Sequence, residues 1–377
     1  MSRHAAFSAM KKRFFNVFIA VFGQRIKNRG NEMGTSNKRQ TLALATVALI
    51  CLSSAAGAQS APDLKGKSFV FAGFGGDLQK NQDAAWLQPF AAATGVTVQQ
   101  TDSPDLATLK TQQEAQNVGV DVVEIESSTV DANCGTVFAK ADIDRSQLDR
   151  AYDTNKCGVP VVKFSYVLAY NAKKYTSPPT SVADFFDTAK FPGPRAVNSQ
   201  SNSGLLETAL LADGIDKAKI YPIDLERAIA KIKSAKDSLV TVATFALIQD
   251  GLANGEYDMA LLPNGRALNA SKTNPDIKAV FQGAVTLYDN LAIPSGAKNV
   301  EAATAFLQYT AMHKTQVALA ERFPYGMGTT GAPPKLDDQA KAFFPDNFSD
   351  QLLLQDAKWW SDNDAIVKDR LTTLFSQ

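Results

Sequence analysis

Residues 67–126, KSFVFAGFGGDLQKNQDAAWLQPFAAATGVTVQQTDSPDLATLKTQQEAQNVGVDVVEIE, set the fold class of the chain. KSFVFAG (67–73) is short and apolar and predicts a strand. The segment from Asp77 to Thr94, containing DAAWLQPFAAAT, predicts a helix stopped by Gly95. VTVQQT (96–101) is again strand-like. SPDLATLKTQQEAQ (103–116) opens with Ser103 as N-cap and Pro104 at the first helical position, where a missing N–H is harmless. VDVVEIE (120–126) predicts a buried strand. Strand, helix, strand, helix, strand is the order of a parallel sheet with crossover helices. At the first junction, GFGG (73–76) has neither full GxGxxG spacing nor a Lys-Ser/Thr ending, so a phosphate loop is disfavoured. A strand-to-helix turn fits better, with Gly75 and Gly76 letting the backbone approach a ligand closely.

The same theme continues downstream through VVKFSYVLAYN (161–171), the helical SVADFFD (181–187), NSGLLETALLADG (202–214), PIDLERAIAKIKSAK (222–236) and YDMALLP (257–263). Ile223, Leu225, Ala228, Ile229 and Ile232 give the fourth of these a helical apolar stripe. Then comes LYDNLAIP (287–294), whose one carboxylate sits in an apolar, strand-like run. Strand alternation puts Leu287, Asp289 and Leu291 on one face and Tyr288 and Asn290 on the other. A carboxylate buried there needs a cationic partner from the protein or from a ligand. Helices are predicted over 299–322 and through Trp359 and Trp360, with an irregular FPYGMGTTGAPPK (323–335) between them. The two tryptophans read as helix packing. Two α/β lobes with short connections are the expected organisation.

The chain has 377 residues, 45% hydrophobic and 20% charged, enough for two lobes. Its net charge of +1 hides an asymmetry: residues 1–58 carry nine Lys/Arg and one Glu, leaving 30 basic and 37 acidic residues in 59–377, a net of −7. No basic surface for nucleic acid is expected. Lys38 and Arg39, an uncharged run from Thr41 to Ser54, and Ala56-Gly57-Ala58 have the layout of a secretory signal cut after Ala58. The run is too short for the ~20 apolar residues of a membrane span, and Ile50 before Cys51 disfavours a lipid anchor. Residues 1–32 are expected to lie upstream of the true start, and 1–58 are set aside from the fold. Cys134 and Cys157 then remain as an even pair in an exported chain, which predicts a disulfide. They have no Cys or His neighbours at metal-ligand spacing. After the signal the only histidine is His313, in a helical context, and no catalytic set is found.

Beyond these readings the chain closely resembles the extracellular solute-binding proteins of ABC importers, of the spermidine/putrescine-binding kind. FGGDLQ, PFAAATGVTV, FSYVLAYNAKK, FPGPRAV, LLETALLADG, IYPIDLERAIAKI, ANGEYDMALLPNGR, DNLAIPSGAKN and WWSDND carry the resemblance, in order, over roughly 66–364. It implies an α/β, two-lobe periplasmic-binding-protein fold of type II, hinged by two crossover strands near Phe164–Ala169 and Thr286–Ile293. One lobe is expected from 62–163 plus 291–377 and the other from 170–286. Function as a periplasmic, monomeric capture subunit that hands solute to a membrane permease is implied, with no cofactor, no metal and no catalysis. A secreted α/β enzyme is the rival reading.

The resemblance also assigns site residues. Asp289, in D-x-L-A-I-P, would hold a ligand ammonium and Tyr325 would line the same pocket, although a core role for Tyr325 stays open. Pro263 and Leu287 stand where polyamine-binding relatives have tryptophans, so the stacking walls look depleted. NSQSNSG (198–204), with Ser203, offers hydroxyls and amides in place of further acids. Arg266, beside Asn264 in NGR, would repel a dication but suit a carboxylate. Its alternative is an internal ion pair with Asp289. The expected solute is a zwitterion such as 4-aminobutyrate, with putrescine or spermidine as the alternative.

Overall fold

The computed structural model describes residues 61–198 and 202–376; the expected signal segment, 1–58, lies outside them. Ten strands make up the sheet: β1 Ser68–Gly73, β2 Thr97–Asp102, β3 Val122–Glu126, β4 Phe138–Ala139, β5 Gly158–Asn171, β6 Arg195–Asn198, β7 Leu239–Val242, β8 Met259–Pro263, β9 Ile277–Pro294 and β10 Leu353–Leu354. Their main order is β2-β1-β3-β9-β5-β8-β6-β7, with β4 and β10 pairing on β9. β1 pairs parallel with both β2 and β3, as the opening strand-helix pattern predicts. At the other end β6 pairs parallel with β7 and β8.

Two long antiparallel strands, β5 and β9, join these parallel ends. β5 spans 14 residues and β9 spans 18, and their register slips between Pro160 and Val162 and again between Tyr166 and Leu168. The hydrophobic core divides across the same stretch. Phe69, Phe71, Trp86, Phe90 and Phe306 pack with Val159, Val161, Leu291 and Ile293. Phe185, Leu206, Leu262 and Leu268 pack instead with Tyr166, Leu168, Ala284 and Leu287. Each long strand thus leaves one core and enters the other near residues 164 and 289. Phe343, Leu353, Trp360, Val367, Leu371 and Leu374 belong to the second core, so the last 20-residue helix, Ala357–Ser376, packs with the 166–287 region.

Several local expectations are refined. The helix expected from Ser103 starts at Leu106, capped by Asp105, whose side chain accepts from the Thr108 N–H at 2.7 Å. Carboxylate caps hold the free N–H groups of a first turn well, and Ser103 instead donates its hydroxyl to the Glu124 carbonyl. SVADFFD forms a 3-10 helix, Val182–Phe186, behind a Ser181 capping box. The predicted Cys134–Cys157 disulfide is present, with Cα atoms 5.5 Å apart. Trp360 is buried and donates its indole N–H to Glu207 at 2.7 Å. His313 pins the 329–332 loop, its ring nitrogens 2.9 Å from Thr329 Oγ1 and 2.8 Å from the Ala332 carbonyl.

Candidate functional site

Where the long strands leave one core for the other, a cavity of about 440 Å³ opens, lined by residues from both regions. Asp289 on β9, Arg266 on the Asn264–Thr273 helix, Tyr325 and Gly75 all line it, as the sequence predicts. Gly76 lies just behind, as the first residue of its helix. Gly75 adopts φ 73°, ψ −167°, a conformation essentially confined to glycine. Its N–H is held by Gln79 Oε1 at 2.8 Å, which fixes the turn that brings this backbone to the cavity.

Asp289 is 4% exposed, and its Oδ1 has no hydrogen-bond partner. No ion pair among the described residues links it to Arg266. Arg266 Nη1 donates instead to Gln249 Oε1, at 3.4 Å. Burial, followed by the charges of Glu124 and Glu126, pushes the Asp289 carboxyl well above the usual carboxylate range. Tyr325 sits within the field of both charged groups. Burial raises its hydroxyl pKa, Arg266 opposes that, and Asp289 and Glu124 add to it. Reciprocal backbone bonds between Lys163 and Gly326, at 2.9 and 2.7 Å, clip this segment to β5. The ring lies against Gly265, where an added Cβ would stand 2.6 Å from Tyr325 Cε1. That close approach explains the glycine after Asn264.

Asn264 and Ser203 are not brought to the cavity wall. The Asn264 side chain is wholly buried: Oδ1 accepts from the Ser165 N–H at 3.0 Å, and Nδ2 donates to the Pro324 and Phe343 carbonyls at 3.1 and 2.9 Å. It ties its helix, β5 and the Tyr325 segment together. Asn264→Ala is therefore expected to lower unfolding free energy by about 2–4 kcal/mol, since it strands several buried backbone groups at ~1–3 kcal/mol each. Denaturant titration checks this, and an unchanged midpoint would contradict it. Ser203 is buried with its hydroxyl unpartnered. Its neighbour Asn202 does not line the cavity either, but it donates to Glu126, which does, at 2.9 Å.

Two features correct the sequence reading. Stacking walls are not depleted, because Phe74, Phe164, Tyr166, Phe245 and Phe323 line the cavity together with Tyr325. Phe164 packs edge-on to Tyr166 at 5.6 Å, and Tyr166 lies 5.5 Å from Phe245. Pro263 lines the wall, whereas Leu287 is buried in the second core. Further acids are present too. Glu126 stands directly across from Asp289 in the β3–β9 pairing and Glu124 across from Leu291, so all three carboxylates share one face. Glu126 lines the cavity. Glu124 is fully buried behind it, accepting from Gln82 Nε2 at 2.7 Å. Two glutamates at i and i+2 in a strand read as buried are the signal that could have revealed them. The acids gather around Asp289, so they do not form a separate second anion site.

The family model for bacterial extracellular solute-binding proteins matches residues 85–345. A gamma-aminobutyric acid-binding protein of Pseudomonas aeruginosa is 28% identical over 337 residues, covering 86% of this chain and 94% of that protein. Among solved structures, the Atu4243-GABA receptor matches with a TM-score of 0.73 at 30% identity, over 82% of this chain and 97% of that one. The spermidine/putrescine ABC transporter substrate-binding protein PotD of Streptococcus pneumoniae matches with a TM-score of 0.65 at 17% identity, over 82% and 99%, a likeness of fold alone.

Proposed function

The chain belongs to the family of bacterial extracellular solute-binding proteins, with the two-lobe periplasmic-binding fold and the solute-binding function of ABC transporters, and we propose that its solute is a small zwitterion of the 4-aminobutyrate type. The observation that carries this reading is one cavity holding an acid and a base that are not paired with each other. Asp289 offers a buried carboxylate with an unpartnered oxygen, and Arg266 offers a guanidinium with no acidic partner among the described residues. Arginine's planar fork suits a carboxylate, while Asp289 within an aromatic wall suits an ammonium. Two of the similar proteins, at 28% and 30% identity, are named for the same amino acid. The acids beside Asp289 favour the second reading, a polyamine, but Arg266 would then face positive charge without a partner.

We place the hinge where β5 and β9 pass from one core to the other. The first lobe then comprises 62–163 and 291–342, and the second 170–286 together with the segment from Phe343 onward, which the sequence reading assigned to the first lobe but which shares the second core. Periplasmic export, cleavage after Ala58 and delivery of solute by a monomer to a membrane permease complete the proposal. The disulfide supports an oxidising compartment, and among the described residues none in the cavity lining pairs a nucleophile with a base. A thermal-shift panel tests the solute class. Ligand at 100 times its Kd stabilises the folded state by about 2.7 kcal/mol, so 4-aminobutyrate or a related ω-amino acid should raise the melting temperature by several degrees. A panel in which only polyamines or only betaines do so would refute the zwitterion.

A further inference from the structure

On the reading that an ammonium group enters beside Asp289, we propose that Glu124 and Asp289 hold a proton between them in the solute-free protein and release it to solvent when the ammonium arrives. Solute capture would then expel a proton, and Glu124, which does not line the cavity, would act as a positioning residue that sets this linkage.

The geometry begins with strand pairing. β3 and β9 run antiparallel with Glu126 opposite Asp289, so Glu124, Glu126 and Asp289 stand on one face of adjacent strands. Like charges at such positions repel, and removal from water makes the repulsion worse. Glu124 is 0% exposed and Asp289 4%. One oxygen of each, Glu124 Oε2 and Asp289 Oδ1, lacks a hydrogen-bond partner. Among the described residues no lysine, arginine or histidine forms an ion pair with any of the three.

The groups that face the cluster come from every surrounding element. Asp77 lines the cavity at the start of its helix, and the Phe74 backbone and Gln82 stabilise the charged form of Glu124 by hydrogen bonds. From β5, Tyr166 lies in the field of Glu126 and Asp289. Tyr325 faces Asp289 and Glu124, and Asp364 of the last helix adds negative charge beside Glu126. Arg266 is the one cation in the cavity lining among the described residues. These surroundings are dominated by burial and negative charge. They push the Glu124 carboxyl up to about 7, chiefly by desolvation, and the Asp289 carboxyl well above its ordinary range.

An incoming ammonium supplies the missing positive charge and favours the ionised carboxylates, so their proton leaves. The sign follows from linkage. The pair binds more protons without solute than with it, so affinity rises with pH through the range where the proton is held, by up to about tenfold per unit for one proton, and then levels off. At mildly acid pH the solute would bind weakly.

Calorimetry tests this with 4-aminobutyrate as probe, and putrescine in parallel, in buffers of equal pH near 7 but different ionisation enthalpy. For the native protein the apparent enthalpy should vary with buffer in proportion to nearly one proton released per solute. Affinity should fall severalfold between pH 7.5 and 6. Glu124→Gln, which keeps an acceptor for Gln82, should lose most of the buffer dependence and flatten the pH profile. Tight binding with buffer-independent heat in the native protein overturns the proposal alone, and so does full proton release in a folded Glu124→Gln. If neither amine binds, the solute reading fails and the proposal with it.

Discussion

Asp289→Asn is expected to weaken capture of an amine solute by roughly 30-fold or more, because removing one partner of a desolvated charge pair commonly costs ~2–5 kcal/mol. The substitution keeps the shape of the side chain but replaces an acceptor that can ionise with an amide that cannot. Asp289 is buried on β9 between Glu126 on β3 and Val162 on β5, where a charge is largely removed from water. Stability should move the other way. With no protein cation paired to it, the buried acid contributes repulsion, so the solute-free variant should melt no lower than the native protein. Titration calorimetry alongside thermal unfolding separates the two effects. Equal affinity for 4-aminobutyrate in a folded Asp289→Asn protein would remove Asp289 from the site.

Arg266→Ala carries the second large effect, and its value lies in its selectivity. Affinity for 4-aminobutyrate should again fall by roughly 30-fold or more, since the solute carboxylate loses its partly buried cationic partner. Affinity for putrescine should hold or improve, because a cation facing a dication has been removed. Little stability is expected to be lost, as the side chain makes a long hydrogen bond to Gln249 and no ion pair among the described residues. A parallel loss for both ligands would mean that Arg266 organises the cavity without touching the carboxylate.

The fold was legible where sequence pattern is local. Strand-helix alternation over 67–126 foretells the parallel half of the sheet, and the apolar stripe at Ile223, Leu225, Ala228, Ile229 and Ile232 foretells the Leu225–Ser234 helix. The length of β9 was less legible. Only its last eight residues, LYDNLAIP, read as a strand, while the preceding part is interrupted by Gln282 and by Gly283, which takes φ 81°. Pairing on β5 through that interruption is a tertiary fact that local propensity does not carry.

The same distinction runs through the cavity. Asp289, Arg266, Tyr325 and Gly75 were identified from segments resembling a known family, and all four line one wall or another. Phe164, Tyr166, Phe245 and Phe323 come from three separate parts of the chain, so their meeting needs the fold. Glu124 and Glu126 sit in a run otherwise read as core, where burial of two acids contradicts composition and therefore signals function. Asn264 misled in the opposite sense. It neighbours Arg266 in sequence, but at the start of its helix the side chain points into backbone that needs donors and an acceptor, and its hydrogen-bonding capacity goes there.

The most direct test of the account is calorimetry of the native protein with 4-aminobutyrate and putrescine side by side, repeated with Arg266→Ala. Tight binding of 4-aminobutyrate, weaker binding of putrescine and reversal of that preference on loss of the arginine are the predicted results. Tight putrescine binding with no response to 4-aminobutyrate, and putrescine affinity intact or improved in Arg266→Ala, would contradict the zwitterion reading and leave a polyamine as the solute.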